Sequence, residues 1–265
     1  MPHFISLARI FRMKNPVIVV GMGEMGSVFA RGFLCSGYPV YPVVRGIDMS
    51  AVEERLGEPE LVIIAVAERD LQAVLHEVPV SWRDRLVLLQ NELLPVDWLK
   101  HQLDPTVISV WFEKKKGMDS KVIIPSPVYG KYAQLVADAL AAVDIGTRVL
   151  GSAEDLLFEL VLKNVYILTT NISGLETGGT VSELWSQHRG VAMEVANEII
   201  RLQQMLTGRP LDADRLIKGM VQAFNGDPEH GCMGRSAPSR LERALEQAHA
   251  FGQDVPSLRR IASST

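Results

Sequence analysis

Cysteine is scarce in this chain: there are two, Cys35 and Cys232, in 265 residues. They lie far apart and fall in no paired motif, so no disulfide framework is indicated, and a reducing cytoplasm is the simplest setting. Both read as core or bystander residues rather than nucleophiles. No apolar run approaches the ~20 residues of a membrane-spanning helix. Positive charge is not in excess either: 27 Lys and Arg stand against 31 Asp and Glu, a net charge of −4 without a basic stripe, which argues against nucleic acid as the main partner. The six histidines show no metal spacing such as H-E-x-x-H, so no metal is expected, and no G-x-S-x-G nucleophile elbow occurs. What remains is a chain that is 47% apolar, enough to bury the core of one large or two small domains.

That apolar content is organised from the N-terminal side. Val17-Ile-Val-Val20 reads as a strand buried on both faces. It runs directly into Gly21-Met22-Gly23-Glu24-Met25-Gly26, and Ser27 onward continues at helical spacing. Strand, G-x-G-x-x-G and helix in this order form the dinucleotide fingerprint. The first glycine permits the tight turn, the second lets backbone approach a pyrophosphate, and the third lets helix pack on strand. The helix N-terminus offers unpaired N–H groups to the phosphates. A glycine-rich turn in a nucleotide-free α/β domain is the plainer alternative.

A second strand, Tyr38 to Val44, ends at Arg45, 24 positions after Gly21. An acidic residue there would bond the ribose hydroxyls of NAD, whereas an arginine suits the 2′-phosphate of NADP. NADP(H) is therefore the expected cofactor; the competing reading of Arg45 is a solvated loop arginine. Leu61–Val66 and Arg85–Gln90 read as further buried strands, with a helix from Arg69 to Val78 between them and a short amphipathic helix over Leu93–Lys100. Thr106–Phe112 and Val122–Pro127 are expected to be strands, joined across a solvated turn at Lys114–Gly117. A helix over Tyr132–Val143 and an edge strand at Thr147–Leu150 follow. Strands alternating with helices predict a parallel-type α/β sheet, with Gly21, Ala67 and Asn91 facing one crevice at its carboxyl edge.

From Ser152 the period changes. Glu154–Leu175, Thr180–Leu206, Asp212–Phe224 and Leu241–Gly252 all carry helical patterns, and Thr180-Val-Ser-Glu183 is a capping box after the Gly178-Gly179 break. The expected division is a mildly basic, disordered extension over 1–12, a dinucleotide-binding domain over 13–150 and an all-α domain over 151–265. Within the first helix of the second domain, Lys163 interrupts an apolar run and Asn171 follows about two turns later on a similar face. A lysine among apolar neighbours has a lowered pKa and can serve as an acid. It can equally be a lysine snorkelling from a domain interface.

These features together resemble the ketopantoate reductase (2-dehydropantoate 2-reductase) family over about residues 15 to 260. The resemblance rests on Gly21–Gly26, Arg45, Leu89-Gln90-Asn91, the Glu159/Lys163/Asn171 helix, and a last helix ending Gly252-x-x-Val255-Pro256. It implies a Rossmann domain followed by a helical domain of the 6-phosphogluconate dehydrogenase type. It also implies NADPH-dependent reduction of a small 2-oxo acid, a place in pantothenate biosynthesis and, as a further expectation, a homodimer. By the same resemblance Lys163 is the general acid, Asn91 and Asn171 bind substrate, and the Gly21–Gly26 loop, Arg45 and Ala67 contact the cofactor. The chain departs from the family where a lysine usually follows the third strand (Ala67-Glu68-Arg69) and where an asparagine usually follows the catalytic lysine by one turn (Ile167). At the glutamate of the family's Thr-Glu-x-Asp element an ungapped alignment places Ser236. In the loop Asn225–Gly234, Glu229 or His230 is a candidate polar contact. The alternative is a reductase-like NADP-binding protein without turnover, acting as a sensor or interaction partner.

Overall fold

The computed structural model describes residues 14–114 and 116–264; the extension expected over 1–12 lies outside that set, as do Met13, Lys115 and Thr265. Seven strands form one sheet in the order β2-β1-β3-β4-β5-β8-β9. They are β1 (Val17–Val20), β2 (Val40–Val43), β3 (Leu61–Ile64), β4 (Leu86–Leu88), β5 (Thr106–Ile108), β8 (Ser126–Tyr129) and β9 (Thr147–Val149). The strands β1 to β5 pair in parallel. Helices α1 (Glu24–Cys35) and α5 (Ala133–Ala141) cover one face, while α2 (Met49–Leu56), α3 (Leu71–Glu77) and the short α4 (Val96–Leu99) lie on the other. The chain leaves β1 to one side for β2 and returns for β3 on the other, which puts the sheet's switch point beside Gly21.

Two expected strands break in mid-course. The run Thr106–Phe112 keeps only β5 in the sheet; Phe112–Glu113 (β6) turns out to pair with Lys121–Val122 (β7) as a separate antiparallel hairpin. The run Val122–Pro127 divides likewise between β7 and β8, and β8 joins β5 antiparallel rather than parallel. The crossing point is Trp111, whose backbone N–H bonds the Ser126 hydroxyl at 2.9 Å and whose carbonyl accepts from Ile123 at 2.8 Å. A continuous apolar run cannot distinguish one straight strand from a strand that changes sheets, because both are buried.

After Leu150 the secondary structure is helical: α6 (Ala153–Thr177), α7 (Val181–Gln187), α8 (Arg189–Thr207), α9 (Ala213–Gly226), α10 (Ala237–Ala250) and α11 (Pro256–Ser264). One isolated antiparallel bridge, Thr180 to Gly231, is the only strand-like pairing among the described residues there. The helix expected from Thr180 to Leu206 is two, interrupted at His188; α10 starts four residues earlier than its pattern suggests; α2 and α11 were not anticipated. The first turn of α11 is held from α8, where the buried Glu198 carboxylate accepts from the Ser257 and Leu258 N–H groups at 2.8 and 3.0 Å. At the centre is α6, capped by Ser152 and buried around much of its circumference from Leu156 to Gly174. A helix apolar on all sides must sit inside its domain, and α8, α9, α10 and α11 pack around it.

Gly21 and Gly26 make the βα turn possible. Gly21 has φ +93°, and a Cβ on Gly26 would sit 1.9 Å from the Gly21 carbonyl oxygen, whereas one on Gly23 would meet nothing within 4 Å. Gly26→Val is therefore expected to cost more than ~3 kcal/mol in denaturant unfolding, by overpacking against backbone. Gly23→Ala should stay within ~0.5 kcal/mol of wild type.

Candidate active site

Two concavities meet the expectations from sequence. The first, about 710 Å³, opens at the switch point and is lined by Gly21, Met22, Gly23, Arg45, Ala67 and Asp70 among others. Its floor is the end of β1 and β3, where Ala65 N–H bonds the Val20 carbonyl at 2.7 Å and Gly21 N–H bonds Val43 at 2.9 Å. The open space over Gly23 and the N-terminus of the twelve-residue α1 suit a pyrophosphate, and the residues present fit a dinucleotide. Glu24 is the first residue of α1 and its side chain is exposed outside the cavity, so what it offers there is backbone. Arg45 is 89% exposed, with Nη2 3.6 Å from Asp70.

The second concavity, about 400 Å³, lies between the sheet and the helical domain. Its lining includes Asn91, Lys163, Tyr166, Asn171, His230 and Arg240. Met25 faces this cleft rather than the dinucleotide cavity, and Asn91 belongs here too, whereas Gly21 and Ala67 line the first concavity. The single crevice expected for Gly21, Ala67 and Asn91 is thus two.

Lys163 is 9% exposed and sits with Nζ 4.2 Å from the centre of the Trp111 ring and 5.5 Å from that of Tyr166. The two rings pack edge to face at 5.0 Å. Among the described residues no hydrogen-bond acceptor reaches Nζ. Burial, with a further contribution from the Arg240 charge, lowers the Lys163 pKa to about 7. Asn171 is on the same helix and lines the same cleft, with both ends of its amide already engaged: Nδ2 donates to the Cys232 carbonyl at 3.1 Å and Oδ1 accepts from Arg240 Nη1 at 2.7 Å.

Ser236 does not line the cleft. It is exposed just before α10, and the residue that α10 sends inward is Arg240, one turn later. Arg240 is 6% exposed and ties the two domains: Nε bonds Glu92 at 3.0 Å, Nη2 bonds Glu68 at 3.2 Å, and Glu68 in turn accepts from Asn91 Nδ2 at 3.2 Å. Glu92 also holds Arg243 at 2.5 Å and has φ +60°, a left-handed conformation rare for a residue with a side chain. Sequence reasoning missed Arg240, yet the signal existed: it continues the stripe Ala237, Ala244, Ala248 on the buried face of α10, a charge among alanines as conspicuous as Lys163 among leucines. His230, a candidate from sequence, does line the cleft. Cys232 is buried with its thiol pushed up to about 11, which leaves it protonated and unreactive.

No protein-family model matches the chain, and no curated protein matches it. Solved structures do. A PanE/ApbA family ketopantoate reductase from Ralstonia eutropha JMP134 superposes with a TM-score of 0.67 at 14% identity, covering 94% of this chain and 96% of that one. A 2-dehydropantoate 2-reductase from Methylococcus capsulatus gives 0.64 at 15% identity, with 94% of each chain covered. D-mandelate dehydrogenase with NADH and anilino(oxo)acetate gives 0.64 at 14% identity, over 94% and 96%.

Lys163 should register in stability. The unfolded chain binds one proton more than the folded chain between about pH 7 and 10.5, so the penalty of the buried charge is full below pH 7 and fades as pH rises. Lys163→Met is expected to stabilise the protein by on the order of 3 kcal/mol at pH 6 and progressively less toward pH 10, by urea unfolding. At the level of the fold, the chain is a Rossmann domain followed by a helical domain, the architecture of the ketopantoate reductases.

Proposed function

We propose that this protein is an NADPH-dependent reductase of a small 2-oxo acid, with Lys163 as the general acid. The observation that carries the reading is the Lys163 amine: buried, without an acceptor among the described residues, and on the wall of an interdomain cleft. An amine with a pKa of about 7 is half protonated at neutral pH, the poise a proton donor needs. The solved ketopantoate reductases and D-mandelate dehydrogenase of this fold support the reaction class.

The cofactor, when bound, supplies the hydride for the carbonyl carbon. This chain's residues do the rest. Lys163 gives its proton to the carbonyl oxygen as that oxygen becomes a hydroxyl, and the amine is left neutral. The Trp111 and Tyr166 rings fix the amine's position and keep bulk water from it. Asn91, which lines the cleft, would bond substrate or nicotinamide ribose, and Asn171 with Arg240 would supply a polar wall there. Lys163→Ala should lower kcat by roughly 10²–10⁴ and leave NADPH affinity nearly unchanged; unchanged turnover would remove the mechanism.

Arg45 supports NADPH over NADH. A 2′-phosphate has to displace only an exposed pair with Asp70 at 3.6 Å, worth ~0–1 kcal/mol. NADPH is expected to bind at least ~10-fold tighter than NADH in fluorescence titration, a difference of ~1.4 kcal/mol that Arg45→Ala should abolish. Equal affinities in the wild type would contradict this.

A reductase-like NADP-binding protein without turnover has two observations in its favour: the Asn171 amide is already satisfied by Cys232 and Arg240, and Ser236 stays outside the cleft. NADPH oxidation against a panel of 2-oxo acids separates the two readings.

A further inference from the structure

Part of the cleft wall is built from the β6–β7 hairpin and the loop between α9 and α10. There the chain brings together Glu113, Asp227 and His230, whose ligand atoms all lie within 4.8 Å of one another. Local spacing does not reveal this group, because Glu113 comes from the sheet domain and the other two from the helical domain. Glu113 and His230 line the cleft; Asp227 is behind them, 4% exposed.

The contacts within the group are ion-pair contacts looser than hydrogen bonds. A charge-assisted hydrogen bond between imidazolium and carboxylate measures roughly 2.7–2.9 Å. Here His230 Nδ1 is 3.5 Å from Asp227 Oδ2 and 3.9 Å from Glu113 Oε2. Asp227 Oδ2 is buried with no hydrogen-bond partner, although its sister Oδ1 accepts from Lys121 at 2.7 Å. The Tyr166 hydroxyl, in the wall of the same cleft, is likewise buried and unbonded. Donor atoms about 2.1 Å from a common cation stand roughly 3.0–3.4 Å apart in octahedral or tetrahedral geometry. The two His230 separations, 3.5 and 3.9 Å, exceed that by roughly 0.1–0.9 Å, and all three ligand atoms lie within 4.8 Å of one another, so rotamer adjustment has to draw the ligands together.

We propose that Glu113, Asp227 and His230 form a divalent-cation site that bridges the two domains, with its open side on the cleft. One imidazole and two carboxylates select a first-row transition metal such as Zn²⁺ or Co²⁺ over Mg²⁺ or Ca²⁺, which take oxygen ligands alone. Three protein ligands leave a position for a water or an oxygen of the bound substrate. Lys121 then orients Asp227 from outside, the usual place for a hydrogen bond to a ligating carboxylate. Among the described residues, Lys121 on β7 bonds Asp227, and Lys114 after β6 and Lys163 on α6 line the same cleft; the two carboxylates offset these charges, and the cation requires the neutral form of His230. This proposal does not depend on the reductase reading.

Equilibrium dialysis of the full-length protein against Zn²⁺, and separately Co²⁺, tests it. One equivalent of metal per chain is expected at micromolar concentration and neutral pH. Asp227→Asn and His230→Gln should each weaken binding at least tenfold while the thermal transition persists. Absence of stoichiometric uptake, or uptake that survives both the Asp227→Asn and the His230→Gln substitutions, would overturn the site.

Discussion

A lysine amine enclosed by aromatic rings is the constraint around which this molecule is arranged. Lys163 lies on a helix whose other faces are committed to the core, so its charge has nowhere to go except toward the sheet domain. The electron-rich face of Trp111 receives it at 4.2 Å, a partner that stabilises the cation without accepting a proton from it. Trp111 lies outside the sheet, at the break between β5 and β6, with its N–H bonded to the Ser126 hydroxyl. Burial, with a further contribution from the Arg240 charge, lowers the amine's pKa to about 7, which is the neutral-pH poise.

The second organising feature is the Arg240 clasp. A buried arginine between Glu68 and Glu92 is weak evidence for net stability, since removing three charges from water offsets most of what their attraction returns. Its effect is on geometry. It fixes α10 against the ends of β3 and β4, sets the orientation of the Asn171 amide, and places a second positive charge near Lys163. The left-handed backbone at Glu92 is held in the same clasp, a local cost accepted where two domains must meet in one register.

The glycine fingerprint was legible in sequence because a βα turn is a local problem: Gly21 and Gly26 are required by contacts within a single supersecondary unit. Lys163 was legible because a charge inside an apolar helix is anomalous whatever surrounds it. Ser236 was misplaced by ungapped register, and Arg240 was overlooked although it obeys the same anomaly rule on α10. The break at Trp111 was hidden, since burial in one sheet or two produces the same apolar run. The grouping of Glu113 with Asp227 and His230 was beyond sequence reading, because it exists only once the two domains are docked.

The central claim is that Lys163 titrates near neutrality because of where the fold holds it. Heteronuclear NMR of the Lys163 side chain, followed through a pH titration, measures this without any assumption about substrate. A midpoint near 7, returning toward the ordinary lysine value of 10.5 when the protein is unfolded, is the expected result. A midpoint close to 10.5 in the folded protein would mean that the amine reaches solvent, and the account of it as a buried proton donor would be wrong.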